Sequence, residues 1–170
     1  MTDLALLVLR VVTGGLLAGH GAQKLFGSFG GPGLTNTAGW MESLGLKPGT
    51  FWASLAGAGE FGGGLLTLLG LGSPLGSIMT ISAMNMATFK AHAGKPIWVT
   101  SGGAELPVVN IAVGTALFMT GPGRYSLDHL FGIRVPRWMS ALAMLGAAGL
   151  LVVGLLSEPE PPAEPVESAA

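Results

Sequence analysis

An all-α, polytopic membrane helix bundle is the fold class this sequence predicts, and three observations predict it. Charged residues make up only 10% of the chain, against roughly 25% in a soluble domain. The mean hydropathy is +0.62. Glycine is abundant, with 29 residues among 170, as in membrane helices, which carry more glycine than soluble ones. So little charge cannot cover a water-exposed surface, and lipid forces each spanning segment to satisfy its own backbone hydrogen bonds as helix.

Crossing the hydrocarbon takes about 20 apolar residues as helix, and five segments qualify. The first, 4–26, carries Arg10, His20, Gln23 and Lys24. The second, 51–71, has Glu60 at its centre. The third is 74–91, with Pro74 at a first-turn position where its missing N–H is not needed. The fourth, 104–120, opens on Glu105 and contains Asn110. The fifth, 137–156, has no charge after Arg137, and Trp138 marks an interfacial anchor. The short connection Gly72-Ser73-Pro74 makes the second and third helices antiparallel neighbours. Between the first two spans, the turn-rich run GSFGGPG leads into a segment near 35–46, with Trp40, Met41 and Leu44 on one side. It reads as a helix lying on the membrane surface. The tail 157–170 holds four prolines and four glutamates and is expected to be disordered, having nothing with which to build a core. The resulting division is a membrane core over 1–136, a further transmembrane helix over 137–156, and the acidic tail.

Composition also excludes functions. A net charge of −1 leaves no basic stripe for nucleic acid. With no cysteine there is no disulfide, thiol redox chemistry or iron–sulfur cluster. Asp3 and Arg10 do not suit a secretion signal. His20 and His92 bracket no plausible haem, because His92 falls at the interface between Lys90 and Gly94. His20, Glu60 and Glu105 have no tight ligand spacing, so no metal is expected. For orientation, Arg124, Arg134 and Arg137 lie on the side of the amino terminus, and Lys24, Lys47, Lys90 and Lys95 on the other. Assigning Lys24 and Lys90 to a buried cluster tips the balance to a cytoplasmic amino terminus.

An ionisable group inside a span is costly, from about 2.5 kcal/mol upward, and so faces the bundle, a cavity or a partner. At about 1.5 Å of rise per residue, Glu60 falls in depth between Arg10 and His20, and either can be its partner. Glu105 is level with Gln23, Lys24 and Lys90. His20 and Lys24, four apart, share a face. The pairs Gly15/Gly19 and Gly59/Gly63 have the spacing that lets membrane helices approach closely. The cluster Arg10, His20, Gln23, Lys24, Glu60 and Glu105 has two readings: a polar lock that fixes helix register, or a proton relay or small-molecule site. The residues alone leave both open.

LRVVTGGLLAGHGAQKLFG (9–27), FGGPGL (29–34), ESLGL (42–46), AGAGEFGGGLLTLLGL (56–71) and TGPGRYSLD (120–128), in that order, resemble the DoxX family of small bacterial membrane proteins. The resemblance implies a four-helix membrane core, to which this chain adds the fifth helix and the tail. It implies recurring polar positions at His20, Gln23, Lys24, Glu60 and Glu105. Relatives associated with a thiosulfate:quinone oxidoreductase imply a subunit or anchor of a quinone-linked redox or sulfur-stress assembly in the bacterial inner membrane. Such a subunit is itself non-catalytic, with a quinone as the cofactor that could bind. The expected partners are the lipid bilayer, a soluble or membrane redox enzyme and further copies of the chain. The alternatives are a carrier or binding protein for a small apolar molecule or lipid, and a purely structural assembly factor.

Overall fold

The computed structural model describes residues 1–158, so the expectation for the acidic tail lies, from 159 onward, outside the described residues. Each predicted span is a helix. α1 is Thr2–Phe26, α3 is Gly49–Leu69, and α4 is Leu75–Met86 continued by a π-helical turn, Ala87–Ala91. α5 is Glu105–Thr120 and α7 is Arg137–Leu156. Among the described residues there are two shorter α-helices, α2 at Gly33–Ser43 and α6 at Leu127–Phe131. No strand occurs among the described residues. By length and hydropathy, α1 and α7 are candidate membrane spans. α3 has the length, with 21 residues, but its six glycines and Glu60 dilute its apolar character.

The helix ends follow local chemistry. Gly27 and Gly70 close α1 and α3 in the left-handed conformation, with φ of 69° and 61°, which glycine adopts without steric cost. Ser126 caps α6, its hydroxyl accepting the N–H of His129 at 3.2 Å. The π turns, Arg10–Gly14 in α1 and Ala87–Ala91 in α4, have no signal in hydropathy. Each carries a basic residue, Arg10 in one and Lys90 in the other.

The closest packing joins α1 to α3, and the glycines that make it are not the expected pairs. A side chain at Gly15, Gly19 or Gly59 would meet nothing within 4 Å. Instead, a Cβ at Gly64 would lie 2.7 Å from the Gly14 carbonyl oxygen, and one at Gly21 would lie 2.7 Å from that of Gly57. Gly14 and Gly21 are seven apart on α1, as are Gly57 and Gly64 on α3. Seven residues are two turns of helix, the repeat that keeps one seam facing a partner in a left-handed crossing. The antiparallel register therefore sets Gly14 against Gly64 and Gly21 against Gly57.

α2 differs from its expectation in extent and in packing. It covers 33–43 rather than 35–46, and its inner face is built into the bundle. Ala38 and Met41 join Leu46, Trp52 and Ala53 in a buried cluster. Glu42 ties the α2–α3 connection by accepting the Gly49 N–H at 3.0 Å. α7 packs chiefly on α4. Ala143, Ala147, Leu150 and Gly154 form its inner stripe, while Leu145 is 69% exposed and Leu156 77%. A helix this apolar and this exposed calls for a non-aqueous surrounding.

Candidate functional site: a polar-ended cavity inside the bundle

Glu60 is 4% exposed, in the middle of α3. Its Oε2 is paired with the Lys24 ammonium of α1, not with Arg10 or His20. Depth alone missed this because it ignores where side chains lean. In the glycine register, Glu60 lies opposite residue 18, about six residues or 9 Å along the axis from Lys24. Side chains lean toward the amino terminus of their own helix. On antiparallel helices the two therefore lean toward each other, and the long lysine stem closes the gap. Lys24 also lies seven residues after Leu17, about 20° from it around the helix, and Leu17 is in the buried stripe of α1. His20 lies off that stripe and is exposed, so the pair His20/Lys24 does not share one environment.

The other expected members are dispersed. Glu105 is half-buried at the start of α5, where its Oε2 accepts the Val99 N–H at 2.9 Å and shapes the loop. Gln23 is half-buried and packs on Gly31, where a side chain would collide with it. Arg10 is 2% exposed at the opposite end of the bundle from Lys24, and its Nη2 donates to the Tyr125 carbonyl. Beside it, Asp128 takes the N–H groups of Gly72 and Ser73, both at 2.7 Å, into its two carboxylate oxygens. Arg10 Nε, Arg10 Nη1 and Thr67 Oγ1 have no hydrogen-bond partner among the described residues, and both residues line a small void of about 20 Å³. This second polar cluster ties α1, the α3–α4 turn and α6 together. Arg10 and Glu60, grouped in the sequence reading, are thus apart: Arg10 lies beside Asp128 at one end of the bundle, and Glu60 pairs with Lys24.

The pair forms part of the wall of a cavity of about 410 Å³, a volume in the range of small-molecule sites, about 300–1,000 Å³. α2 contributes Trp40 and Met41, the residue after it contributes Leu44, and α3 contributes Trp52, Leu55, Gly59 and Glu60. α4 contributes Met79, Ser82, Met86 and Lys90, and the inner stripe of α7 closes the remaining side with Ala143, Ala147 and Leu150. The lining is apolar except for Lys24, Glu60, Ser82 and Lys90. The small side chains of α7 keep the space open where bulkier ones would fill it.

Sequence reading offered a small-molecule site as one alternative but did not give the walls of the cavity, the place of Lys90 in them, or the role of Asp128. Lys90 was assigned with Lys24 to a buried cluster, on depth alone and without a place in a cavity wall. Asp128 stood in a quoted motif, but its role depends on a turn more than fifty residues away. Among the described residues no group of histidine, aspartate and glutamate side chains is arranged to hold a metal.

A family model, DoxX, matches residues 5–93, just over half the chain and all of α1 to α4 apart from the first three residues of α1. No curated protein matches, and no solved structure matches.

Proposed function

Because the chain belongs to the DoxX family, we propose that it is a multi-pass membrane protein that holds a small apolar or amphiphilic molecule inside its bundle, as a component of a membrane redox assembly. The observation that carries this reading is the cavity of about 410 Å³ with a buried ion pair in its wall. An apolar space with few convergent polar groups is the common form of a small-molecule site. Intramembrane carboxylates mark ligand and proton pathways by default. In this arrangement α1, α3, α4, α5 and α7 span the bilayer of a bacterial inner membrane with the amino terminus in the cytoplasm. α2 covers the cavity at the opposite face.

The test is purification in mild detergent followed by native mass spectrometry of the intact chain. The expected result is a co-purified apolar molecule that is lost when Ala147→Trp fills the cavity. A ligand-free chain across several gentle detergents overturns the reading.

A second reading, a quinone as the occupant, is favoured by Glu60 itself. A carboxylate within hydrogen-bonding reach of a reacting oxygen can deliver or accept its proton, and Lys24 would hold that carboxylate in place. Glu60→Gln is expected to leave the protein folded and to stop quinol-linked proton uptake. Full uptake by the variant would remove the proton role.

A further inference from the structure

The cavity has two unlike ends. Lys24 is near the end of α1, and Lys90 sits in the π turn that closes α4. Both therefore lie at the end of the bundle covered by α2. Met79, near the start of α4, and Ala143, near the start of α7, line the other, apolar end.

The charges at the polar end do not cancel. Lys24 faces a full carboxylate, Glu60. Lys90 donates to the Ser157 carbonyl at the end of α7, at 2.5 Å, and has no ion pair among the described residues. A helix carboxyl terminus is equivalent to about half a negative charge. The carboxyl ends of α1 and α4 at this face are offset by the amino ends of α3 and α5, leaving that of α7 alone. Set against a whole ammonium charge, this leaves the lining a surplus of about half a positive charge; Glu42, Glu105 and Glu158, the other acids at this end, do not line the cavity. An ammonium group also has three N–H donors, and Ser157 takes one of them.

We propose that the occupant is an amphiphile with one anionic head, a long-chain carboxylate, its head on Lys90 and its chain running past Ser82 toward Met79. This rests on the reading of the cavity as a ligand site and adds the class of ligand. Such a head supplies the missing charge and takes a free ammonium donor. Any oxygen that accepts from the ammonium makes a charge-assisted hydrogen bond, but only a carboxylate adds the Coulomb attraction of an ion pair, which an alcohol or quinone head lacks.

The experiment is equilibrium binding of radiolabelled dodecanoate and dodecanol to the full chain in a neutral detergent at pH 7. Lys90→Met, Lys90→Arg and Ala147→Trp are compared with the wild type, each checked for folding by its thermal transition. The expected result is that dodecanoate binds at least about tenfold tighter than dodecanol, a difference of about 1.4 kcal/mol. Lys90→Met abolishes that preference by weakening the acid alone, and Lys90→Arg retains it. Ala147→Trp suppresses both ligands. Equal binding of acid and alcohol, or a preference that survives Lys90→Met, overturns the head-group assignment while leaving the cavity reading intact. Failure of both ligands to bind, or binding undiminished by Ala147→Trp, overturns the cavity reading and the assignment with it.

Discussion

Lys24 and Glu60 meet across the seam where α1 and α3 pack glycine against glycine, the ammonium of one helix on the carboxylate of the other. The carboxylate side chain is 5% exposed and the lysine 23%, so the two partners are not equivalent. Removing the lysine strands a buried charge. Removing the carboxylate leaves an ammonium that can extend toward the membrane surface.

The first prediction follows from that asymmetry. Lys24→Met should destabilise the protein by roughly 3–5 kcal/mol, the usual cost of leaving a buried charge unpaired. Glu60→Gln should cost less, and the double variant Lys24→Met/Glu60→Gln should recover most of the loss. Thermal unfolding in detergent measures all three. Equal losses for the two single variants would mean that the pair is not buried as described.

The glycine seam makes a sharper prediction, because neighbouring glycines should respond in opposite ways. A Cβ at Gly64 lies 2.7 Å from the Gly14 carbonyl oxygen and 2.9 Å from Ala18 Cα. Backbone cannot move aside without separating the helices, so Gly64→Ala should destabilise by about 1–3 kcal/mol or more, the range for overpacking. At Gly15 and Gly19 a methyl group meets nothing within 4 Å. There the change to alanine should be neutral or stabilising by up to about 1 kcal/mol, from helix propensity. The seven-residue register fails if Gly15→Ala and Gly19→Ala are the damaging substitutions.

These contrasts also show what was legible in the sequence. The five long helices were, to within two residues at most ends, because hydropathy and end signals such as Gly27 and Pro74 act locally. The inward position of Glu60 was legible too, since lipid excludes the alternative. Its partner was not: a count of rise along the axis gives height, but not direction around the helix or the lean of a lysine stem. The GxxxG spacing misled for a related reason. Gly14, Gly15, Gly19 and Gly21 are all present, and only the register with α3 decides which of them face it. The walls of the cavity were not legible because they are defined by what five helices fail to fill, a property of packing rather than of any local pattern.

Asp128 carries the third prediction. Its two oxygens hold the N–H groups of Gly72 and Ser73, and its own N–H donates to the Gly70 carbonyl at 3.0 Å. The carboxylate thus fixes the turn that makes α3 and α4 neighbours, with the buried Arg10 beside it. Asp128→Ala should cost about 1–3 kcal/mol for each N–H left without its acceptor in a buried site. Limited proteolysis should then cut first near 70–74. Asp128→Asn, which keeps one acceptor oxygen, should fall between the wild type and the alanine variant. Because this cluster lies at the opposite end of the bundle from Lys24 and Lys90, ligand binding at a temperature well below unfolding should be unchanged in Asp128→Asn. A loss of binding there would show that the lock and the cavity form one unit.

The last prediction separates a built cavity from loose packing. Ala147 faces the space from α7, and α7 packs chiefly on α4. A larger side chain at 147 therefore enters open volume rather than an occupied core. Filling a pre-existing cavity commonly stabilises by about 0.5–2 kcal/mol, whereas forcing extra atoms into a close-packed interior costs about 1–3 kcal/mol. Ala147→Phe should thus hold or raise the thermal transition while excluding the bound apolar molecule. Gly154→Ala, seven residues further along the same stripe, should do the reverse. A Cβ there would lie 2.7 Å from the sulfur of Met86 and 3.5 Å from the Trp52 ring, so that variant should be destabilised by the contact, partly relieved by the flexible methionine, and should keep its ligand. If both variants lower stability alike, the interior along α7 is close-packed throughout, and the cavity is not a feature of the protein in its membrane.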